Sequence, residues 1–476
     1  LLQEAAYETL LRDFRPELHR RTAEALEALF PHTVRDEPEV LAHHWTEAGQ
    51  AEKGATGWLR AGQLAAERCQ YREAIARLRR GLALVPSIAN AHVRRAQELA
   101  LIVALGPALS TAEGGGTAEV NRLYARAMEL CNETPLSTLH FGAHWGWWRT
   151  TMDHRTGRTR ADKLLSLAAR LDKPELMLQA HHCQWATLYM LGQHQECCRH
   201  TEAGLAIYDA TRDRAHAASY GGHDARVCAL GESALANWML GSYALAAQRA
   251  QAALQWSGSI NHVGSRLHAM DYVMVLYTFQ RDLAAVRAQA QAMFDFASEQ
   301  RLPVPRAKAQ FFQGWACALQ GNLAEGIAEM TDGIGAVRAA DTAHDFTLYY
   351  QMLAEAYELA GYPDKGLEAV REAFLISELK GIVYWNAELE RTRGRLLAAS
   401  GEPDAAKQAF EAALACAQAQ GARSLALRAA IALCQLNGDD SEQLRQSILR
   451  PVYESLQAEP ETADLAQARS ALEIGP

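Results

Sequence analysis

The 476-residue chain contains no Gly-x-x-x-x-Gly-Lys-Ser/Thr run, no His-Glu-x-x-His and no Cys-x-x-Cys pair. The first absence excludes the phosphate-cradling loop of an ATPase, and the second a common helical zinc-hydrolase signature. Nine cysteines, at 69, 131, 183, 197, 198, 228, 317, 416 and 434, follow no disulfide framework. Several stand where a small apolar residue is wanted, so free buried thiols in a reducing cytoplasm are expected. Lysine is scarce, 7 against 40 arginines, and the net charge is −9. No basic stripe could track a phosphate backbone, so nucleic acid is not an expected partner. The longest apolar run, Leu99 to Leu105, is far too short to cross a bilayer, and no membrane is expected either. Alternating Val/Ile/Thr-rich strands are missing. What remains is rich in Ala, Leu, Glu, Gln and Arg, a composition that suits helices.

The dominant signal is a forty-residue period. Gly241, Arg281, Gly321, Gly361 and Gly401 share one slot. Five residues later stand Ala246, Val286, Gly326, Gly366 and Ala406; seven residues earlier stand Ala234, Met274, Gly314, Ala354 and Gly394. Twelve after the slot, a small or flexible residue precedes a large one: Leu254, Phe294, Ile334, Phe374 or Leu414. Such a period marks stacked supersecondary units, which escape the size limit of a single core because each packs on its neighbours. Small residues let two helices of a hairpin approach, and the large neighbour fills the groove beside them. The expected fold is all-α: a right-handed superhelical solenoid of ten or eleven tetratricopeptide-like (TPR-like) hairpins.

The same register is visible early, at Gly62, Cys69, Ala74, Leu78, Gly81 and Leu82, and again around Gly192. Pro31 and Asp36-Glu37-Pro38 interrupt the first helices, placing a boundary after residue 35. Gly106 to Gly116 is expected to be a loop, and 135–231 keeps helical periodicity with irregular spacing. The step from Gly192 to Gly241 is 49 residues, with the surplus around Tyr220-Gly221-Gly222-His223-Asp224. Insertions on solenoids tend to fall on one face, often the binding face.

Several stretches carry a family resemblance. They are Gln3 to Leu11, Glu17 to Arg21, Leu41 to Gly49, Tyr220 to Cys228, Gly314-Trp315-Ala316, Leu353 to Tyr357, Ala387 to Arg391 and Gly421 to Ala430. Together they resemble the C-terminal tetratricopeptide region of bacterial signalling proteins. In these a class III adenylate/guanylate cyclase or other effector is joined to an AAA-like (STAND-type) ATPase. The resemblance implies that residues 1–35 end the ATPase region and that 36–476 form the repeat array. It also implies that ATP binding and any cyclase lie upstream of Leu1, in cis, so this chain itself holds no cofactor and is not an enzyme. A start at Leu-Leu-Gln rather than Met agrees with a piece of something longer. One departure is the segment between Tyr453 and Asp464, where the family's aromatic and glycine residues are replaced by Glu-Ser-Leu-Gln-Ala-Glu-Pro-Glu-Thr-Ala.

Four places are candidate ligand- or partner-binding sites. In Leu139 to Trp148, His144 shares a helix face with His140, and Trp145 and Trp148 lie three apart beside Trp147, Gly142 and Gly146. The indoles either fill an inter-helix seam or wall a concave groove. In His181-His182-Cys183 with Trp185, the adjacent histidines point to different faces, so at most one joins His144; no closed metal spacing is present, and no metal is expected. In Tyr220 to Arg226, the His223, Asp224 and Arg226 trio either binds a polar or anionic group or forms a turn whose Asp224 caps the next helix. The fourth is the arginine set Arg79-Arg80, Arg94-Arg95, Arg155, Arg158 and Arg160, expected to pair with Glu at i±4 rather than with phosphate. The functional expectation is a regulatory sensor and protein-interaction array holding a partner or small ligand in a concave groove. The alternatives are a passive assembly scaffold and, last, a free-standing enzyme.

Overall fold

In the computed structural model the forty-residue slot is a left-handed helix terminus. Gly241, Arg281, Gly321, Gly361 and Gly401 have φ of 79°, 60°, 101°, 76° and 82°. Asn261, Arg301, Gly381 and Gly421 do the same halfway between, at 46°, 56°, 65° and 63°. The chain therefore turns every twenty residues. At the slot turns, the next amide donates to a carbonyl five residues back, as in Ser242 N–H to Asn237 (2.8 Å) and Glu402 N–H to Leu397 (2.9 Å). That bond closes the helix end and sends the chain straight into the following helix.

The structure describes residues 12–68, 70–113, 117–151, 153–339, 346–437 and 442–472. The Gln3–Leu11 stretch and Cys69 lie outside them. Among the described residues every regular element is a helix, and none is long and apolar enough to cross a membrane. The hairpins follow the period: Ala225–Met239 with Tyr243–Ser259, Val263–Gln280 with Leu283–Glu299, Pro303–Leu319 with Leu323–Ala339, Phe346–Leu359 with Pro363–Lys380, and Asn386–Ala399 with Pro403–Ala419. Close approach is tightest between Gly314 and Gly326. A Cβ on Gly326 would sit 2.5 Å from the Gly314 carbonyl oxygen and 2.6 Å from the Ala318 nitrogen. Glycine is required there by the neighbouring backbone itself.

Contacts divide the chain into two compact units. The first comprises Leu1–Thr151, Ser166–Asp172 and Arg214–Gly222; the second comprises Met152–Leu165, Lys173–Asp213 and His223–Pro476. In the first, Ala23 packs with Leu41 and Trp45, and Leu78, Leu101, Leu105, Tyr124 and Leu130 form a further core. The expected loop at 106–116 is corrected. The helix Ala91–Glu113 runs through Gly106 and Pro107, and 114–116 lie outside the described residues. Leu105, Ala108 and Leu109 are buried in that core, and Gly106 is where the Tyr124 ring lies against the helix. Burial of one apolar face outweighs the breaker residues.

The second unit winds back on itself. Ends of its early helices meet segments 149–193 residues later in the chain. The Val383 amide donates to the Met190 carbonyl (2.7 Å), and Arg423 Nε to that of Leu240 (2.6 Å). Ser424 reaches the Trp238 carbonyl and Arg428 that of Phe279. Each acceptor lies at the end of a helix, where carbonyls lack intrahelical partners. Phe279 and Trp385 stack at 4.6 Å, and Tyr189 lies 4.8 Å from Tyr384.

Candidate functional site

The second unit holds a cleft of about 550 Å³, lined by Arg281, Arg391, Arg395 and Arg428 together with Glu358, Asp464 and Gln435. Its walls come from the turn after Val263–Gln280 and the helices Asn386–Ala399, Arg423–Asn437 and Ala463–Ala471. Beneath it lie two buried carboxylates, Glu355 and Glu388, each 2% exposed. Arg281 pairs with Glu355 at 2.5 Å, and Arg395 lies 3.5 Å from Glu355 and 2.9 Å from Glu358. Arg391 pairs with Glu388 at 2.7 Å, while Arg428 bridges Glu388 (3.7 Å) and Asp464 (2.8 Å). Burial would raise Glu388, but Arg391 and Arg428 outweigh it and bring its pKa down to about 2. Burial likewise opposes ionisation of Glu355, and Arg281 and Arg395 reverse the sign and lower it. Together with Glu358 and Asp464 on the lining, the two buried acids set four carboxylates against the four guanidinium groups, and each arginine is ion-paired. Guanidinium N–H groups not used in these pairs can donate charge-assisted hydrogen bonds to an acceptor group of an occupant.

Arg281 is the residue that departs from glycine in the repeat slot, and the departure has a physical reason. An arginine in the left-handed region is strained by its Cβ, yet its side chain delivers the guanidinium that lies nearer to Glu355, at 2.5 Å against 3.5 Å for Arg395. Sequence reasoning missed this cluster: Arg281 stood out only as a break in the glycine slot, and the other arginines were masked by the many solvated ones.

The sequence candidates fall in both units. In the first, Trp145 and Trp148 are buried 5.7 Å apart, and Trp145 meets Tyr220 edge-on at 5.3 Å. Gly146 and Gly142 are filled by Tyr124 and Val103 rather than by open space. The buried indoles thus fill a seam, while His144 and Trp147 are half-buried, with rings 6.1 Å apart. In the second unit, His181 Nδ1 lies 2.8 Å from His200 Nδ1, and burial, then His200, bring the His181 pKa down to about 4. Trp185 is fully buried, donating to Cys228 Sγ at 3.4 Å. Asp224 is a cap: it accepts from the Arg226 and Val227 amides, from Tyr208 Oη (2.7 Å) and from Trp256 Nε1 (3.1 Å). Arg226 lies over the Trp256 ring at 4.4 Å. Within the same unit His182 acquires a partner that its sequence neighbourhood does not suggest. Its Nε2 lies 3.3 Å from His223 Nε2, because the chain brings residue 223 back over the helix Pro174–Met190.

The arginine pairs are corrected in register. Arg79 meets Glu119 and Arg95 meets Glu133, each at 2.8 Å. Partners some forty residues on replace i±4 neighbours, since adjacent hairpins present facing rows. Arg158 does both, reaching Asp162 (3.3 Å) and Glu196 (3.2 Å).

No family model matches the chain. It is 32% identical over 431 residues to an uncharacterized protein of Rhizobium meliloti (strain 1021), covering 90% of this chain and 42% of that protein. The chain thus spans less than half the length of this relative. Among solved structures it resembles the Rap protein complexed with competence and sporulation factor, with TM-score 0.52 and 12% identity over 76% of this chain and 99% of that one. A signal transduction ATPase with a tetratricopeptide repeat sensor from Pyrococcus horikoshii matches at TM-score 0.40 and 16% identity, over 71% of this chain and 49% of that one. The likeness to the Rap protein and the twenty-residue turn rhythm agree on an all-α, tetratricopeptide-type repeat fold.

Proposed function

We propose that the chain is the regulatory, ligand-sensing array of a longer signalling ATPase and that its ligand or partner segment presents a hydrogen-bond-accepting group to the arginine cleft. The cleft carries this reading. Its walls join the turn after Gln280 to helices beginning at Asn386, Arg423 and Ala463, so an occupant ties together elements far apart in sequence. An occupant that binds this arrangement more tightly than an alternative one biases the array toward it. The Rap protein, of similar fold, is complexed with competence and sporulation factor. A parent longer than this chain fits the 42% coverage of the Rhizobium relative. The ATPase, a linked cyclase or other effector, and a cytoplasmic setting rest on the family resemblance. Binding, not catalysis, is the role assigned to these residues.

The test compares native and denatured mass of the purified chain with those of Gln435→Trp, which plugs the cleft mouth without touching an ion pair. A mass retained under native conditions and lost in the variant supports the sensor. A retained mass unaffected by the plug refutes the cleft as its site. A bare mass, with no change in ATP hydrolysis when the plug is placed in the full-length parent, points instead to a passive scaffold.

A further inference from the structure

The meeting of His182 and His223 brings a third donor with it. Cys228, in the first turns of the helix Ala225–Met239, places Sγ so that all three donor atoms lie within 4.8 Å of one another. His182 and Cys228 are buried and His223 half-buried. His182 Nδ1 lies 3.1 Å from Gln179 Oε1, an oxygen that only accepts. The proton therefore sits on Nδ1, and Nε2 presents a lone pair toward His223. The two Nε2 atoms are 3.3 Å apart. Two imidazole nitrogens on a tetrahedral ion at about 2.0–2.1 Å are separated by about 3.3–3.4 Å, so the histidines already stand at ligand spacing. A thiolate at about 2.3 Å would lie about 3.5–3.6 Å from each nitrogen, within reach of a small turn of the Cys228 side chain.

The surroundings have the character of a supporting shell. Gln179 fixes the His182 tautomer, the role that an outer hydrogen bond plays for metal-bound histidines. Trp185 Nε1 donates to Cys228 Sγ (3.4 Å), a contact that suits a sulfur carrying negative charge, and Tyr272 Oη lies 3.6 Å from the sulfur. Tyr272 in turn donates to Glu232. The His223 ring is braced by stacking on His268 at 3.9 Å. We propose that His182, His223 and Cys228 form a zinc-binding site, with the fourth position open to solvent or a ligand donor. The ion would pin the turn following Gly221 and Gly222, whose φ values are 91° and 75°, to the helix Pro174–Met190.

The experiment titrates Co²⁺ into the metal-stripped chain and follows tetrahedral d–d and thiolate-to-cobalt charge-transfer absorption, with Zn²⁺ as competitor. One equivalent is expected to bind with both bands and to be displaced by Zn²⁺. Cys228→Ala is expected to abolish the charge-transfer band, whereas Cys416→Ala leaves it intact. His223→Gln, at a half-buried position, should weaken binding by more than the roughly 10–100-fold that losing a supporting hydrogen bond costs, with helical circular dichroism unchanged. Absence of tetrahedral bands in the wild-type chain, charge transfer that survives Cys228→Ala, or unchanged affinity in His223→Gln would each overturn the site. The first outcome would leave a simple His–His hydrogen bond.

Discussion

Replacing Arg281 with glycine sets two effects against each other. Glycine would relieve the left-handed backbone, where φ is 60°, a gain of about 1–2 kcal/mol. It would also strip Glu355 of its 2.5 Å partner. That carboxylate is 2% exposed, and breaking a buried pair costs about 3–5 kcal/mol. Arg395 (3.5 Å) and the Trp315 indole N–H (3.3 Å) remain beside Glu355, and the Arg281 side chain is 31% exposed. The loss therefore falls toward the lower end of that range. The net expectation is destabilisation of about 1–3 kcal/mol. Urea unfolding followed by circular dichroism, on Arg281→Gly, Glu355→Gln and the double variant, separates the terms. The double variant should recover much of the loss, because a neutral amide in place of the Glu355 carboxylate no longer needs a cation, while the backbone relief persists. An Arg281→Gly chain as stable as the wild type, or more so, would refute the claim that the ion pair is why arginine occupies a glycine slot.

Packing and charge supply the remaining tests. Gly326→Ala places a methyl against the Gly314 carbonyl and should destabilise by about 1–3 kcal/mol. Gly335→Ala, in the same helix with nothing within 4 Å of its Cβ position, should stabilise by about 1 kcal/mol; thermal melts showing the same sign for both would sink the close-approach argument. Glu388, lowered from 4.5 to about 2, contributes stability that is fully present above its unfolded pKa and is lost as pH falls toward 2. Glu388→Gln should therefore flatten the stability profile between about pH 5 and pH 2, and an unchanged acid slope would place the proton uptake elsewhere.

The sequence by itself determined the repeat. A glycine every forty residues, small residues at the facing positions and a large neighbour beside them specify helical hairpins, because helix termination and close approach are local demands of backbone and Cβ. Asp224 as a cap was equally open to local reasoning, with helix-starting geometry and a polar acceptor in place. The half-period was not readable, since Asn261 and Arg301 adopt the left-handed turn without glycine. Nor was the helix through Gly106 and Pro107, where burial of Leu105 and Leu109 overrules local preference.

Only the tertiary structure brought the proposed sites together. The cleft needs Arg281 to meet Glu355, 74 residues on, and the backbone around Leu240 to meet Arg423, 183 residues on. The His182, His223 and Cys228 set joins positions 41 residues apart. No short spacing encodes such pairings. They arise because successive twenty-residue turns wind the chain until distant helix ends, each with carbonyls still to satisfy, come within hydrogen-bonding distance of one another.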